Sequence, residues 1–186
     1  MKVNVLIAIA YASCLLFIGQ ASASPISVVD QQSFGGTIGF VAGASFGQSF
    51  TPSFTSIDAA EFQIVGFSDA RLDLYEGSGF GGALLASSAD TPLAALPSMT
   101  HFDLTTSPTL TPGSVYTMRV VGIGTGSFLL FGDTSNPYAG GSYFHDSGNA
   151  WSSTDSKFSE GVPEPATMSL LALGGLAILR KRRRRS

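Results

Sequence analysis

Ala60-Glu61-Phe62-Gln63-Ile64-Val65 and, a short way on, Arg71-Leu72-Asp73-Leu74-Tyr75 decide the fold class. Phe62 and Ile64 fall on one side of the first stretch. Leu72 and Leu74 do the same in the second, with Arg71 and Asp73 on the opposite side. Side chains alternate across an extended backbone, so this period-two spacing marks half-buried β-strands. The stretch 46–51 (Phe-Gly-Gln-Ser-Phe-Thr) alternates too. Further strand candidates lie at 84–87, 100–104, 115–121, 127–131 and 141–145, with Phe158 closing the last one. The Gly-rich stretch 34–43 is either a first strand or a leader to it. No amphipathic helical stretch of usable length interrupts the series.

Turn chemistry separates these stretches. Residues 76–82 (Glu-Gly-Ser-Gly-Phe-Gly-Gly) form a glycine-rich loop. Thr111-Pro112-Gly113-Ser114 fits a type II turn, because proline presets φ at the second position and glycine supplies a positive φ at the third. Many short strands broken by Gly and Pro predict an all-β fold, an antiparallel β-sandwich of jelly-roll type over residues 24–161. The polar stretch 152–162 reads as a short linker.

Composition narrows the function. Charged residues are only 12% of the chain, and six of its ten cations lie in the run 180–185. Between Ser24 and Val162 only Arg71, Arg119 and Lys157 oppose twelve carboxylates, a net charge of −9. Nucleic-acid binding needs clustered Lys and Arg, so no nucleic-acid partner is expected. The single cysteine, Cys14, lies in the N-terminal apolar run, so burial and not disulfides must hold the body.

The two ends carry processing signals. Lys2 precedes an apolar run from Val3 to Ile18, and Ala21-Ser22-Ala23 follows with Pro25 beyond. That order is a signal peptide over residues 1–23, with Ala21 and Ala23 filling the small pockets of signal peptidase and cleavage before Ser24. Tyr11-Ala12-Ser13-Cys14 has the outline of a lipobox, but cleavage there would fall midway through the apolar run. The small-residue site argues against a retained anchor.

The other end, 162–186, has three parts. Val162-Pro163-Glu164-Pro165 is held extended by its prolines. Residues 166–179 are apolar and uncharged, and Arg180, Lys181, Arg182, Arg183, Arg184 and Arg185 form a dense cationic stop. As a helix the apolar part spans about 21 Å at 1.5 Å per residue. It reads as one short transmembrane helix, helped across the bilayer by snorkelling arginines and local thinning. The positive-inside rule keeps the arginines cytoplasmic and the body outside.

This Val-Pro-Glu-Pro, apolar helix and arginine-rich end resembles the PEP-CTERM sorting signal. The resemblance implies recognition by exosortase, a membrane cysteine protease. The enzyme would cleave near Pro163-Glu164-Pro165 and pass the body from an inner-membrane-anchored precursor to the cell surface or extracellular matrix. Such proteins occur in exopolysaccharide-making, Gram-negative-type bacteria. A simple tail anchor is the competing reading.

A second resemblance runs through the body. Gly47-Gln48-Ser49-Phe50, Leu72-Asp73-Leu74-Tyr75-Glu76, Leu110-Thr111-Pro112-Gly113-Ser114-Val115-Tyr116 and Pro137-Tyr138-Ala139-Gly140-Gly141-Ser142-Tyr143 look like pieces of extracellular bacterial jelly-roll modules. The resemblance supports the fold, and some such modules bind carbohydrate.

Catalytic signatures are thin. His101 and His145 are the only histidines, and neither H-E-x-x-H nor G-x-S-x-G occurs. Asp69 with Asp73, or Asp73 with Glu76, are the nearest carboxylate pairs for glycoside hydrolysis. They read first as solvated surface acids, and no catalytic residue is assigned. Tyr138, Tyr143 and Trp151 are candidates for a sugar-stacking platform, since aromatic faces suit sugar C–H surfaces and carry polar tips. Core and turn packing is the competing reading for them. Calcium is the one candidate cofactor. Asp133, Asp146 and Asp155, with Asn136 and Asn149, supply hard oxygen ligands in the late loops, though no EF-hand spacing organises them. The expected function is a non-enzymatic surface or matrix protein, structural or adhesive, binding exopolysaccharide. The alternative is a small secreted hydrolase acting on polysaccharide.

Overall fold

A computed structural model describes residues 26–162 of the chain, apart from Ser27, Thr37, Ala42, Phe67, Thr125 and Ser127. The signal peptide with Ala21, Ala23 and Ser24, the residues Pro163, Glu164 and Pro165, the apolar helix and the basic cluster lie outside the described residues. Among the described residues no helix is long and apolar enough to cross a membrane.

Two antiparallel sheets face each other. The first holds β1 (Val28–Ser33), β2 (Ile38–Val41), β4 (Ala59–Val65), β8 (Ser98–Asp103), β10 (Leu129–Asp133), β13 (Asp155–Ser156) and β14 (Phe158–Val162). The second holds β3 (Ser45–Phe50), β5 (Asp69–Glu76), β6 (Leu84–Ser87), β7 (Thr91–Pro92), β9 (Tyr116–Ile123), β11 (Tyr143–Phe144) and β12 (Ala150–Trp151). The all-β antiparallel sandwich expected from the alternation is therefore the observed architecture.

The alternating residues face inward as their spacing dictates. Phe62 and Ile64 from β4, Leu72 and Leu74 from β5, and Met118 and Val120 from β9 are fully buried in one core. Phe46 of β3 joins the sheets, edge-on to Phe62 at 5.3 Å and to Phe128 at 5.5 Å. Each such ring contributes about 1.5–3 kcal/mol by leaving water. Gly113 has φ of 81° and the Ser114 N–H donates to the Thr111 carbonyl at 3.1 Å, so the Thr111–Ser114 turn forms as its residues require.

The stretch 152–162 is not a linker. It forms β13 and β14, and β14 lies inside the first sheet between β1 and β4. Phe158 pairs with Phe62 and Glu160 with Ala60, while Val162 closes the ladder opposite Val28. Val162, the first residue of the expected sorting motif, is thus the last residue of the sheet. The polar look of this stretch misleads because Thr154, Asp155, Ser156, Ser159 and Glu160 are buried, and Asp155, Ser156 and Ser159 hydrogen-bond residues far away in the sequence. Ser156 bonds Gln48, and the Ser159 hydroxyl donates to Glu61 at 3.2 Å.

Asp73 also departs from expectation. It does alternate outward, but it is only 4% exposed. Arg71 Nε and Nη2 donate to its two oxygens at 3.0 and 3.3 Å, and Ser87 Oγ donates at 2.7 Å. Both oxygens are engaged, which leaves no free carboxylate at this position.

Candidate functional site

The late hairpin carries Trp151, an exposed aromatic side chain. β11 and β12 pair Tyr143 with Trp151 and Phe144 with Ala150. The turn between them closes through the Gly148 N–H on the His145 carbonyl at 2.7 Å and the His145 N–H on the Asn149 carbonyl at 3.1 Å. Gly148 takes φ of 79°, a conformation that side chains resist.

Residues opposite in an antiparallel pair share a face, so Trp151 falls beside Tyr143, and His145 follows two residues on. Trp151 is 43% exposed and lies nearly parallel to the His145 ring, with centroids 5.7 Å apart and planes 17° apart. Tyr143 supports Trp151 from below at 5.5 Å, and Phe40 of β2 touches it edge-on at 6.3 Å. Tyr143 in turn stacks on Phe40 and on Phe46, so the rings run from the surface into the core.

Only one of the three expected platform aromatics faces solvent. Tyr143 is fully buried, because β11 turns it under Trp151, and its hydroxyl finds no partner. Burial, with Asp146 nearby, pushes that hydroxyl up to about 12. Tyr138 is half-buried against Phe158 at 5.3 Å, and its hydroxyl accepts the Thr51 N–H at 3.0 Å. Burial raises its pKa as well. Both serve the core, and Trp151 with His145 forms the accessible surface. His145 gave no signal in the linear sequence, since only the register of the hairpin places it on Trp151.

The three calcium candidates are each held by hydrogen bonds within the protein, and two of them, Asp133 and Asp155, are cross-strand neighbours. Asp133 Oδ1 accepts the Ser135 N–H at 2.7 Å and its hydroxyl at 2.6 Å, which lowers the carboxylate's pKa. Asp146 accepts Ser45 Oγ at 2.7 Å. Asp155 lies opposite Asp133 in the β10–β13 ladder and is fully buried. Its oxygens accept the Gln48 side-chain amide at 2.9 Å and the Tyr138 N–H at 2.8 Å. Burial raises its pKa despite these bonds. Among the described residues no three His, Cys, Asp or Glu side chains gather around one point.

Two polar features were not foreseen. His101 bridges carboxylates on the outer face of the first sheet, with Nδ1 3.1 Å from Glu61 and Nε2 2.9 Å from Asp103. Glu160 is fully buried, and neither carboxylate oxygen has a hydrogen-bond partner.

Comparison with known proteins adds two findings. Residues 161–185 match the model of the PEP-CTERM protein-sorting motif. The chain therefore carries an exosortase-type sorting signal, and it is an exported protein sorted to the cell surface. Among curated proteins none matches. Solved structures resemble the body as a fold. A β-1,3-glucan-binding CBM6 from Bacillus halodurans is 15% identical, with a TM-score of 0.34 over 57% of this chain and 90% of that one. CsCBM6-3 from Clostridium stercorarium, solved with cellobiose, is 17% identical, with a TM-score of 0.31 over 60% and 86%. TmCBM61, solved with β-1,4-galactotriose, is 16% identical, with a TM-score of 0.28 over 59% and 70%.

Proposed function

We propose that the body is a non-catalytic surface or matrix module that holds polysaccharide against the Trp151–His145 face. The observation that carries this reading is the exposed indole itself. A tryptophan braced from below by Tyr143 and flanked in parallel by His145 offers a flat, preorganised apolar surface with two polar ring edges. That is the surface a sugar ring needs for C–H stacking with hydrogen bonds at its rim. Little side-chain entropy remains to be lost on binding, because the rings are already packed.

Trp151→Ala should weaken binding of the full chain in detergent micelles to its glycan by about tenfold or more, within the range aromatic stacking supplies. A glycan array followed by calorimetry on the best ligand reads this. Undiminished affinity in that variant would remove the platform from the function.

We further propose that signal peptidase removes residues 1–23, and that the precursor waits in the inner membrane on its C-terminal helix until exosortase acts. Replacing Glu164, or deleting residues 180–185, should leave the precursor uncut. Mass spectrometry of the C-terminus from the native host distinguishes the forms. Normal processing of both variants would count against exosortase handling.

A further inference from the structure

We propose that the outer face of the second sheet, centred on Arg119, is a separate contact site for the carboxylate groups of an acidic polysaccharide. This deepens the glycan-binding reading and rests on it.

The body has three cations, and two of them share this face. Arg71 and Arg119 lie on the adjacent strands β5 and β9, where Arg71 pairs with Val121 and Asp73 with Arg119. Both point outward, because Leu72, Leu74, Met118 and Val120 take the inward positions. Their electrostatic states differ. Arg71 is neutralised by Asp73, which holds it with two hydrogen bonds. Arg119 makes no ion pair among the described residues.

The Arg119 guanidinium is nevertheless fixed. It lies over the Phe80 ring, 4.5 Å from the centroid. Its Nε and Nη2 donate to Ser45 Oγ at 3.2 and 3.0 Å, and Ser45 Oγ donates onward to Asp146. One edge of the fork is therefore spent on a hydroxyl. The Nη1 hydrogens and the second Nη2 hydrogen remain for another acceptor. A planar fork with one free edge matches a planar carboxylate through two parallel bonds.

The ring beside it is held as deliberately. Phe80 sits at the tip of the glycine loop, which is tied down by the Gly79 N–H on Thr117 Oγ1 at 2.9 Å. Gly47 lies beneath the ring, and a Cβ there would come within 2.5 Å of it. Glycine at 47 is thus what lets Phe80 lie against the sheet. Tyr75 and Phe144 flank the same ring at 6.4 and 5.8 Å. A sugar ring against Phe80 and Tyr75 would bring its carboxylate to the free edge of Arg119. A neutral sugar would leave the free edge of the guanidinium without a charged acceptor.

The test compares polygalacturonate with a neutral β-glucan, using the full chain in detergent micelles at low and high salt. Arg119→Gln should weaken polygalacturonate binding by about tenfold or more, in line with loss of a charge-assisted bidentate contact, and leave the neutral polymer unaffected. Arg119→Lys should restore only part of it, because the ammonium cannot stack or fork. Trp151→Ala should weaken both polymers. Equal affinity of the wild type for both polymers, or an Arg119→Gln variant that binds polygalacturonate normally, would overturn the proposal and leave the Trp151 reading standing. Failure of the wild type to bind any glycan would sink both.

Discussion

Glu160→Gln should raise stability in alkali and leave it nearly unchanged in mild acid. Glu160 sits on β14 facing the core, with both oxygens buried and unpartnered. Burial first, and the neighbouring Asp30 carboxylate second, push it from 4.5 up to about 8. The Gln31 amide offsets part of this without reaching hydrogen-bond geometry. Asp30 comes close because a bulge between Val29 and Gln31 inserts it beside Glu160 in the β1–β14 ladder. The folded state therefore keeps a proton that the unfolded chain releases near 4.5. Between those values the unfolded state binds fewer protons, so stability falls as pH rises. The contribution is whole below the unfolded value, shrinks through the window, and is gone above the folded value of about 8. At 1.36 kcal/mol per unit the loss amounts to about 5 kcal/mol, a large share of a domain's stability. Gln mimics the neutral acid and does not ionise. Urea midpoints at pH 5 and pH 9 for both proteins read the effect. Parallel profiles would show that Glu160 is ionised in the fold from the start.

Which parts of this fold were legible follows from where each residue finds its partners. Arg71 to Tyr75 and Ala60 to Val65 carry their apolar rows in sequence, so their inward faces could be assigned directly. The Thr111–Ser114 turn was equally open, since its Pro and Gly state their own backbone angles. β14 was hidden because one large apolar residue, Phe158, stands among Ser156, Lys157, Ser159 and Glu160. Its burial rests on contacts with Phe62 and Glu61, made across the chain. β1 was hidden for the same reason, as Val28–Ser33 is a strand only by virtue of β14 beside it.

For the three candidate platform aromatics the sequence could not say which would face solvent. A lone tryptophan in a polar stretch pointed to Trp151, which is indeed exposed. Tyr143 differs only in register, since pairing with Trp151 turns it under the indole and into the core. His145 and Phe80 could not be placed, because their roles come from a hairpin turn and from the missing side chain of Gly47. The sorting signal lies in the linear order of its residues, and its recognition from the sequence agrees with the matched residues 161–185.

Asp155→Ala should cost about 3–5 kcal/mol, the range for removing one partner from a buried charged network. The sequence offered Asp155 as a calcium ligand, and the fold uses it as a polar pin between the sheets. Gln48 projects from β3 into the core, fully buried, and its amide N–H donates to Asp155 on β13. The Gln48 carbonyl accepts both the Ser156 N–H and its hydroxyl at 2.8 Å. Asp155 also accepts the Tyr138 N–H, which fixes the loop that carries Tyr138 against Phe158. Truncating Asp155 leaves the Gln48 amide and the Tyr138 N–H buried without acceptors, and each unmet donor carries its full desolvation penalty. The loss should therefore exceed that of deleting the carboxylate of Asp133, whose partners lie in an exposed turn, by about 2 kcal/mol or more. Replacing Gln48 and Asp155 together with Met and Leu should recover part of the loss, because removing both partners also removes the unmet groups. Thermal and urea unfolding of the single and double variants measure the coupling directly. A loss below about 1 kcal/mol for Asp155→Ala, the size expected of a surface acid, would mean that the two sheets are held by their apolar faces alone.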